Sequence, residues 1–344
     1  MESNSTSEFS SEPTQPTPPV AESFTAARTD FSRLTTAVAA IRQEMGKVIV
    51  GQHDLLEMLL TAILADGHVL LEGVPGVAKT LTAKLLARTL DVPFSRLQFT
   101  PDLMPSDVLG TSVFRPNTAD FEFRPGPIFA SVVLIDEINR APAKTQSALF
   151  EVMEERHITQ DGTTYPMQEP FVVLATQNPV EQEGTYRLPE AQLDRFLFKL
   201  NVGYPTLEDE IAILQGHHAG FGGTPLEVVQ QVLSAEDIAA LRRQVRQQRV
   251  EPKLLEYIAR LVGQTRAHKG LYLGASPRAS LALLNGAKAL AALRGRDFVT
   301  PDDVQFLAPA VLRHRILLTP EREMEGLTAD EIVKQIVQQI EVPR

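Results

Sequence analysis

The hydrophobic pattern divides the chain into a first part in which strands alternate with helices and a second part that contains helices alone. Apolar residues recur with helical spacing from Phe31 to Met45 and from Leu55 to Asp66. A short aliphatic strand, His68 to Leu71, precedes a glycine-containing turn and a helix from Lys79 to about Leu90. Strands that alternate with helices in this way predict a parallel sheet.

Two unbroken apolar runs, Val132 to Ile135 and Phe171 to Ala175, predict central strands that are buried on both faces. Two other segments have the pattern of inserted hairpins. One runs from Leu109 to Phe129, and the other runs from Arg156 to Glu169 and turns at Asp161-Gly162. We expect neither hairpin to belong to the central sheet.

The composition changes near both ends of the predicted α/β region. The N-terminal stretch consists mainly of Ser, Thr, Pro and Glu, and it has too few aliphatic residues to offset its ordering entropy. After Gly203-Tyr204-Pro205 the sequence reads as amphipathic helices to its end. We therefore predict a disordered tail at residues 1–28, an α/β core at 29–205 and an all-helical domain at 206–344.

Composition and charge narrow the function classes. With 344 residues, 43% of them hydrophobic, the chain can bury the cores of about two domains. The net charge of −10 argues against a nucleic-acid-binding function, and no apolar run approaches the ~20 residues of a membrane-spanning helix. There is no cysteine. We expect a cytoplasmic protein that does not insert into membranes. A cluster of four arginines lies along a predicted helical stretch, and we expect it to form a solvated face or a subunit contact. Its members are Arg242, Arg243, Arg246 and Arg249.

The sharpest motif is Leu71-Glu72-Gly73-Val74-Pro75-Gly76-Val77-Ala78-Lys79-Thr80, a strand, a turn and the start of a helix. Backbone N–H groups in such a turn point at phosphate oxygens, the lysine reaches the outer phosphates, and the threonine hydroxyl binds Mg²⁺. The motif predicts ATP and Mg²⁺ as cofactors. The alternative is a structural turn with an exposed lysine. The residues expected to surround the phosphates are Gly73, Val74, Pro75, Gly76, Val77, Ala78, Lys79, Thr80 and Leu81.

One position departs from the strict phosphate-binding pattern, which has glycine before the lysine where this chain has Ala78. Alanine suits that position only if φ is negative. Because we expect the residue to open the helix, where φ is negative, we expect the site to be retained.

The strand ending at Ile135 is followed by Asp136 and Glu137. Beside a phosphate-binding turn, Asp136 would hold the metal and Glu137 would orient and deprotonate the attacking water. Alternatively, the acids could cap the following helix. The strand from Phe171 should lie next to this strand or between it and the first strand, so that Asn178 shares the water with Glu137, although Asn-Pro is also a common start of a turn.

Together these motifs resemble the AAA+ ATPases, and their order most resembles the MoxR family, over roughly Thr35 to Leu317. The resemblance implies an αβα core with a parallel sheet, a helical lid and Mg²⁺-dependent ATP hydrolysis. Alanine before the lysine is common in MoxR proteins. The matching segments are Leu71–Thr80, Ile135-Asp136-Glu137-Ile138-Asn139-Arg140, Ala175-Thr176-Gln177-Asn178-Pro179, Leu188–Phe196 and Gly274-Ala275-Ser276-Pro277-Arg278-Ala279.

The resemblance assigns Arg195 as an arginine finger that reaches the γ-phosphate bound by a neighbouring subunit, a contribution worth about 10³ to 10⁵ in rate. Arg187 and Arg140 are the reserve candidates. From the residues alone, an ion pair of Arg195 with Asp194 or Glu190 on the same helix is the open alternative.

Two further nucleotide contacts are implied. Ser276 has the pattern of an N-cap, and Arg278 falls in the first helical turn, where a cation opposes the helix dipole. A phosphate opposite Arg278 would account for this position, and a solvated arginine is the alternative. In AAA+ proteins this lid position is sensor 2, and movement of the lid during turnover follows from its contact with phosphate. The segment Val48-Ile49-Val50-Gly51-Gln52 resembles the family's adenine-contacting strip, which implies Val50 and Gly51 as nucleotide contacts. From the residues alone, an ordinary connection between two helices is the open alternative.

The resemblance also implies a ring of identical subunits, a hexamer, that remodels or matures partner proteins, among them proteins with von Willebrand factor A domains. Three other functions stay open. They are a magnesium-chelatase-like subunit, a nucleic-acid motor and a nucleotide-gated scaffold that does not hydrolyse ATP.

Overall fold

The computed structural model describes residues 30–74, 76–117, 119–178, 186, 188–220 and 224–343. The predicted tail at residues 1–28 therefore lies outside the described residues, as do Pro75 and Arg187. The last strand of the central sheet ends at Val202 and the next helix begins at Leu207. The predicted boundary between residues 205 and 206 falls in this connection and stays a prediction.

Five parallel strands form the central sheet: β1 (His68–Gly73), β2 (Phe94–Gln98), β5 (Val132–Asp136), β8 (Val172–Gln177) and β9 (Phe196–Val202). Their order across the sheet is β2-β5-β8-β1-β9. Strands β5 and β8 are almost entirely buried, as their unbroken apolar runs predict. Because β8 lies between β5 and β1, the predicted position of the strand before Asn178 is confirmed.

Two antiparallel hairpins project from the core: β3 (Gly110–Arg115) with β4 (Asp120–Pro125), and β6 (His157–Gln160) with β7 (Thr163–Pro166). Neither is part of the central sheet, as predicted. Positive φ angles at Asp161 (51°) and Gly162 (78°) make the tight turn of the second hairpin. The hairpins contact each other, since the ring centroids of Phe123 and Tyr165 lie 4.3 Å apart.

Helices cover both faces of the sheet. Alternate residues of β1 belong to different hydrophobic clusters, Val69 and Leu71 to one and Leu70 to the other, so the two faces have separate cores. The helices of this part are α1 (Ser32–Gly46), α2 (His53–Leu64), α3 (Lys79–Thr89), α4 (Pro105–Leu109), α5 (Ala143–Glu155) and α6 (Glu190–Leu193), with a 3₁₀ turn at Ile138–Arg140. α1, α2 and α3 pack on the first face, and α5 packs on the second.

The second part of the chain is helical, with one addition. It contains α7 (Leu207–Ala219), α8 (Pro225–Val228), α9 (Ala235–Arg246), α10 (Pro252–Ala267), α11 (Pro277–Leu293), α12 (Pro301–Leu312), α13 (Pro320–Met324) and α14 (Ala329–Gln339). The addition is a small antiparallel sheet of β10 (Leu271–Leu273) and β11 (Leu317–Leu318), so this part is not all-helical. Strands of three and two residues are too short to show an alternating pattern.

The helical part shares a hydrophobic cluster with the core, because α11 packs against α1 and α2. One buried arginine joins the two parts and corrects an expectation. Arg242 is 2% exposed, lies 2.7 Å from the carboxylate of Asp66, and donates to the carbonyl oxygen of Ile63 over 2.7 Å. It lies on the inward face of α9 beside Leu241 and Val245, so this member of the arginine cluster is neither solvated nor free for a subunit contact.

None of the helices in the described ranges combines the length and the apolar character that a membrane crossing requires.

Candidate active site

A cleft of about 480 Å³ opens at the carboxyl edge of the central sheet, a size typical of small-ligand sites. Most of the residues that the sequence predicted around a nucleotide meet there, because β1, β5 and β8 end side by side and parallel strands share their carboxyl edge. The cleft is lined by Gly73, Gly76, Val77, Ala78, Lys79, Thr80, Leu81, Arg96, Gln98, Asp136, Glu137, Thr176 and Asn178. Val74 lies between two of these residues in sequence, and Pro75 lies outside the described residues.

Lys79 begins α3 and turns back across the phosphate-binding turn. Its Nζ donates to the carbonyl oxygen of Gly73 over 2.7 Å. Burial lowers the pKa of Lys79 from its usual value, and the negative charges of Asp136 and Glu137 oppose that shift. The ammonium group thus lies between the turn and the two acids, where it can contact the outer phosphates of a bound nucleotide.

The expected backbone conformation at Ala78 is wrong. Its φ is +57° and its ψ is +19°, in the left-handed region. The physical reason is that Ala78 is the N-cap of α3 and precedes the first helical residue, Lys79, so it need not have helical dihedral angles. The left-handed conformation costs a residue with a Cβ atom roughly 1–2 kcal/mol, and glycine avoids that cost. Gly76 also has a positive φ of 87°, so the turn leaves the right-handed region twice.

Asp136 ends β5 and has protein donors at both carboxylate oxygens. The Nε atom of Arg96 donates to its Oδ2 over 2.6 Å, and the hydroxyl of Thr176 lies 3.4 Å from its Oδ1. The sequence analysis missed Arg96. It lies on β2, a five-residue edge strand with no motif, and the pairing of β2 with β5 is what brings it to the acid.

Glu137 follows Asp136 in a left-handed conformation, with φ +57°, and its N–H donates to the Thr176 hydroxyl over 3.0 Å. Its Oε2 accepts from Nε2 of Gln98 over 2.8 Å and lies 2.9 Å from Nε of Arg140. Gln98 was also missed. Arg140, a reserve candidate for the finger, pairs with Glu137 of its own chain.

A second cleft, of about 260 Å³, adjoins the first and shares Gly76, Val77 and Ala78 with it. Val50, which the resemblance implies as an adenine contact, lines this second cleft. Gly51 has a φ of 76°, and a Cβ atom there would lie 2.8 Å from the carboxylate of Asp209. The positive φ favours glycine at this position, and the contact with Asp209 of α7 adds to that preference.

Arg195 lies at the opposite edge of the sheet. It precedes β9, whose first residue, Phe196, pairs with His68 at the start of β1, whereas Val202 pairs with Gly73 at its end. Five residues at ~3.3 Å each place Arg195 about 17 Å from the phosphate-binding turn of its own chain. Its Nε atom lies 3.7 Å from Oε2 of Glu154, with which it forms an ion pair.

Arg278 lies at the same edge, and Nη2 donates to Oε1 of Glu154 over 2.7 Å. Ser276 is the N-cap of α11, as predicted, and its hydroxyl accepts from the Arg278 N–H over 3.2 Å. A carboxylate of the same chain therefore faces Arg278 here, and the contact with phosphate stays a prediction. Arg278 does not line the cleft that holds the phosphate-binding turn.

The donor set fits a magnesium nucleotide. Thr80 and Asp136 offer a hydroxyl and a carboxylate in one cleft, and Mg²⁺ typically takes one or two protein oxygens and completes its octahedron with phosphates and water. Among the described residues, no group of three or more His, Cys, Asp or Glu side chains could hold a metal ion without such help.

Comparisons with known proteins show what the chain is similar to. Residues 68–198 match the model of the ATPase family associated with various cellular activities, and residues 263–336 match the AAA lid domain. The chain is 50% identical to the uncharacterized protein YeaC of Bacillus subtilis, covering 88% of this chain and 93% of that protein. It is 46% identical to the chaperone MoxR1 of Mycobacterium tuberculosis, covering 88% and 81%. A crystal structure of a candidate ATPase from Cytophaga hutchinsonii superposes with a TM-score of 0.84 at 41% identity, covering 90% of this chain and 96% of that one.

Proposed function

This chain belongs to the MoxR family of AAA+ ATPases, and on that premise we propose that it hydrolyses ATP with Mg²⁺ at sites shared between neighbouring subunits of a hexameric ring and uses the hydrolysis to remodel partner proteins. Nucleotide binding and ATPase activity are properties of the family. The shared site, the ring and the remodelling are the proposal.

The position of Arg195 carries the proposal of a shared site. About 17 Å separate it from the phosphate-binding turn of its own chain, which is much more than the reach of an arginine side chain. A finger function for Arg195 therefore requires a second subunit. A head-to-tail arrangement in which each subunit presents one sheet edge to the opposite edge of the next closes into a ring if the rotation permits.

Within the cleft, each residue has a separate task. The N–H groups around Gly76 and the ammonium group of Lys79 bind the phosphates, and Thr80 and Asp136 would hold the metal. Bound Mg²⁺ supplies charge neutralisation for the phosphates. Glu137 accepts the proton of the attacking water, and Asn178, which lines the same cleft, orients that water.

Arg195 and Arg278 from the neighbour complete the site. In the single subunit, both arginines form ion pairs with Glu154. A terminal phosphate carries more negative charge than one carboxylate, so it can draw both guanidinium groups towards it. Arg278 would then contact the nucleotide of the adjacent subunit, while the phosphates in its own cleft stay out of its reach.

The hairpins are the proposed route from hydrolysis to the partner protein. Phe114 and Phe121 lie on the β3–β4 hairpin with ring centroids 5.3 Å apart, and they are 50% and 67% exposed. Exposed aromatic pairs of this kind favour contact with another protein. β2, which carries Arg96 and Gln98, leads through α4 directly into this hairpin. Proteins with von Willebrand factor A domains are the partner class implied by the family resemblance.

The test compares steady-state ATP hydrolysis of wild type, Glu137→Gln and Arg195→Ala over a range of protein concentrations, with mass determined in parallel with and without ATP. Activity should rise with assembly and be lost in both variants. Arg260→Ala, which removes an exposed arginine paired with Glu256, is the matched control and should behave as wild type.

Each outcome bears on a different part of the proposal. If Arg195→Ala hydrolyses ATP normally and Glu137→Gln does not, the protein is an ATPase but Arg195 is not its arginine finger. Unchanged turnover in Glu137→Gln would remove the assigned base. A mass that stays at one subunit under all conditions would contradict the ring.

A further inference from the structure

The segment that carries Arg195 is bound by a buried arginine of the helical part, within the residues that match the AAA lid domain and are called the lid below. Arg315 follows α12, and its side chain is 3% exposed. Its Nε donates to Oδ1 of Asp194 over 2.6 Å, and its Nη2 donates to the carbonyl oxygens of Asp194 and Phe196 over 2.9 and 2.6 Å. Nη1 donates to the carbonyl oxygen of Leu197 over 3.2 Å. One guanidinium group thus binds the backbone on both sides of Arg195.

A second lid residue holds the same carboxylate. The hydroxyl of Ser276 donates to Oδ2 of Asp194 over 2.8 Å, so both carboxylate oxygens of Asp194 are bound by the lid. Ser276 is also the N-cap of α11, two residues before Arg278. The contacts to Asp194 therefore fix the start of β9 and the start of α11 relative to each other, and with them the backbones of Arg195 and Arg278.

The burial of this ion pair needs a reason beyond stability. Moving two charges out of water is costly, and well-packed apolar residues often stabilise a fold as well as a buried ion pair does. An ion pair has fixed directions, however, and Arg315 makes hydrogen bonds with the three residues Asp194, Phe196 and Leu197 that surround Arg195. A group that acts on a reacting phosphate must be held closely, because a displacement of 1 Å can cost about 10²-fold in rate.

We propose that Arg315 is a positioning residue for ATP hydrolysis, and that through it the lid of one subunit sets the hydrolysis rate at the site of its neighbour. This inference rests on the proposed function, since it requires Arg195 to act in a neighbouring subunit. Arg315 itself does not touch the nucleotide. It fixes the backbone from which Arg195 extends.

The test uses mixed assemblies in which the finger and the hydrolysing site belong to different subunits. Glu137→Gln subunits have an intact Arg195 but cannot hydrolyse, so they act as donors. Arg195→Ala subunits can hydrolyse only with a donor's finger, so they act as acceptors. Each variant alone should be inactive and the mixture should recover activity. Arg315→Lys is then added to the donors or to the acceptors.

Arg315→Lys in the donors should lower the kcat of the mixture by about 10²-fold, with KM for ATP unchanged within about twofold, because lysine cannot make the forked contacts. In the acceptors, whose finger is already missing, Arg315→Lys should lower the kcat of the mixture by less than about twofold. A purely structural role would lower both mixtures alike. The matched control is Arg242→Lys in the donors, which alters another buried arginine between lid and core without touching Asp194.

The outcomes separate this inference from the proposed function. If unmodified donors fail to rescue the acceptors, the shared site itself is wrong. If they rescue and Arg315→Lys donors rescue equally well, Arg315 does not position the finger. The inference would also be overturned if Arg315→Lys lowered kcat equally in donors and acceptors. The same holds if Arg242→Lys in the donors lowered kcat as much as Arg315→Lys in the donors.

A milder variant decides the matter if Arg315→Lys does not fold. Ser276→Ala removes one of the two lid contacts to Asp194 without leaving a buried charge unpaired. In the donors it should lower the kcat of the mixture more than in the acceptors. If Ser276→Ala lowers kcat equally in the donors and in the acceptors, the lid does not position Arg195.

Discussion

Gln98 donates from Nε2 to Oε2 of Glu137 over 2.8 Å, and it does so from an edge strand that leads into the exposed β3–β4 hairpin. The same carboxylate oxygen lies 2.9 Å from Nε of Arg140. A general base must have a free lone pair directed at the water that it deprotonates. The hydrogen bond from Gln98 and the ion pair with Arg140 therefore compete with that water for this oxygen.

Replacing Gln98 with alanine should raise the basal kcat for ATP, by up to about tenfold, because a hydrogen bond to a charged group is worth ~1.5–3 kcal/mol and water replaces part of it. Steady-state hydrolysis at saturating ATP measures the effect. Gln244→Ala, at an exposed position of α9, is the control and should match wild type. A fall in kcat would instead assign Gln98 to the positioning of the water.

Arg96 gives a prediction for metal dependence. Its Nε atom lies 2.6 Å from Oδ2 of Asp136, and Asp136 would also hold Mg²⁺, so arginine and metal would compete for one carboxylate. We expect Arg96→Ala to lower the Mg²⁺ concentration needed for half-maximal binding of a fluorescent ATP analogue, measured in a Glu137→Gln background. Arg260→Ala should leave the titration unchanged. An increase in the required Mg²⁺ would show that Arg96 binds the nucleotide and helps to retain the metal.

The left-handed conformation of Ala78 predicts an unusual response to glycine. In a helix, Ala→Gly normally destabilises by roughly 0.5–1 kcal/mol, but at φ +57° glycine removes a conformational cost of similar size. Ala78→Gly should therefore leave the thermal midpoint unchanged or raise it, and should retain ATP binding. Ala83→Gly, inside α3, is the matched control and should lower the midpoint. A loss of stability in Ala78→Gly equal to that control would contradict the left-handed conformation.

The sequence predicted the parts of the site that lie at the ends of long patterned elements. Asp136, Glu137 and Asn178 follow apolar strands, and Lys79 follows a recognisable turn, so pattern and spacing located them in one cleft. Strands β1, β5 and β8 of the parallel sheet, both hairpins and the helices of the second part were predicted for the same reason. The dihedral angles of Ala78 were not, because a helix pattern locates its first residue and does not say that the residue before it is left-handed.

The contacts that the sequence did not predict depend on strand order and on packing between distant segments. Arg96 reaches Asp136 only because β2 pairs with β5, and 40 residues separate the two side chains in sequence. Glu154 and Arg278 are 124 residues apart, and Arg315 and Asp194 are 121 residues apart. Such pairs carry no local signal. The position of Arg278 in the first turn of a helix is a local property, and from it the sequence argument predicted a phosphate; in the single subunit Glu154 faces Arg278 instead.

His68 connects the stability of the phosphate-binding strand to pH. It starts β1 and is fully buried between the core helices and β8. Its Nε2 lies 3.1 Å from the carbonyl oxygen of Met153 and its Nδ1 accepts from the N–H of Val173 over 3.0 Å, so the neutral ring satisfies both neighbours. Burial, with the nearby charge of Arg156, lowers the pKa of His68 from 6.5 to about 3.

This shift fixes the sign of a pH effect on stability. Between pH 6.5 and about 3 the unfolded chain binds a proton at His68 that the folded chain does not bind, so the free energy of unfolding decreases as the pH falls through this window. From pH 7.0 to 5.5 the contribution of His68 is a loss of about 1 kcal/mol. His68→Gln, which keeps a donor and an acceptor, should lose about 1 kcal/mol less than wild type in urea unfolding over that range. The matched control is His217→Gln, at an exposed position in the last turn of α7, which should keep the wild-type dependence on pH. An identical pH dependence in wild type and His68→Gln would mean that His68 is protonated in the folded protein, and Nδ1 could then no longer accept the Val173 hydrogen bond that joins the start of β1 to β8.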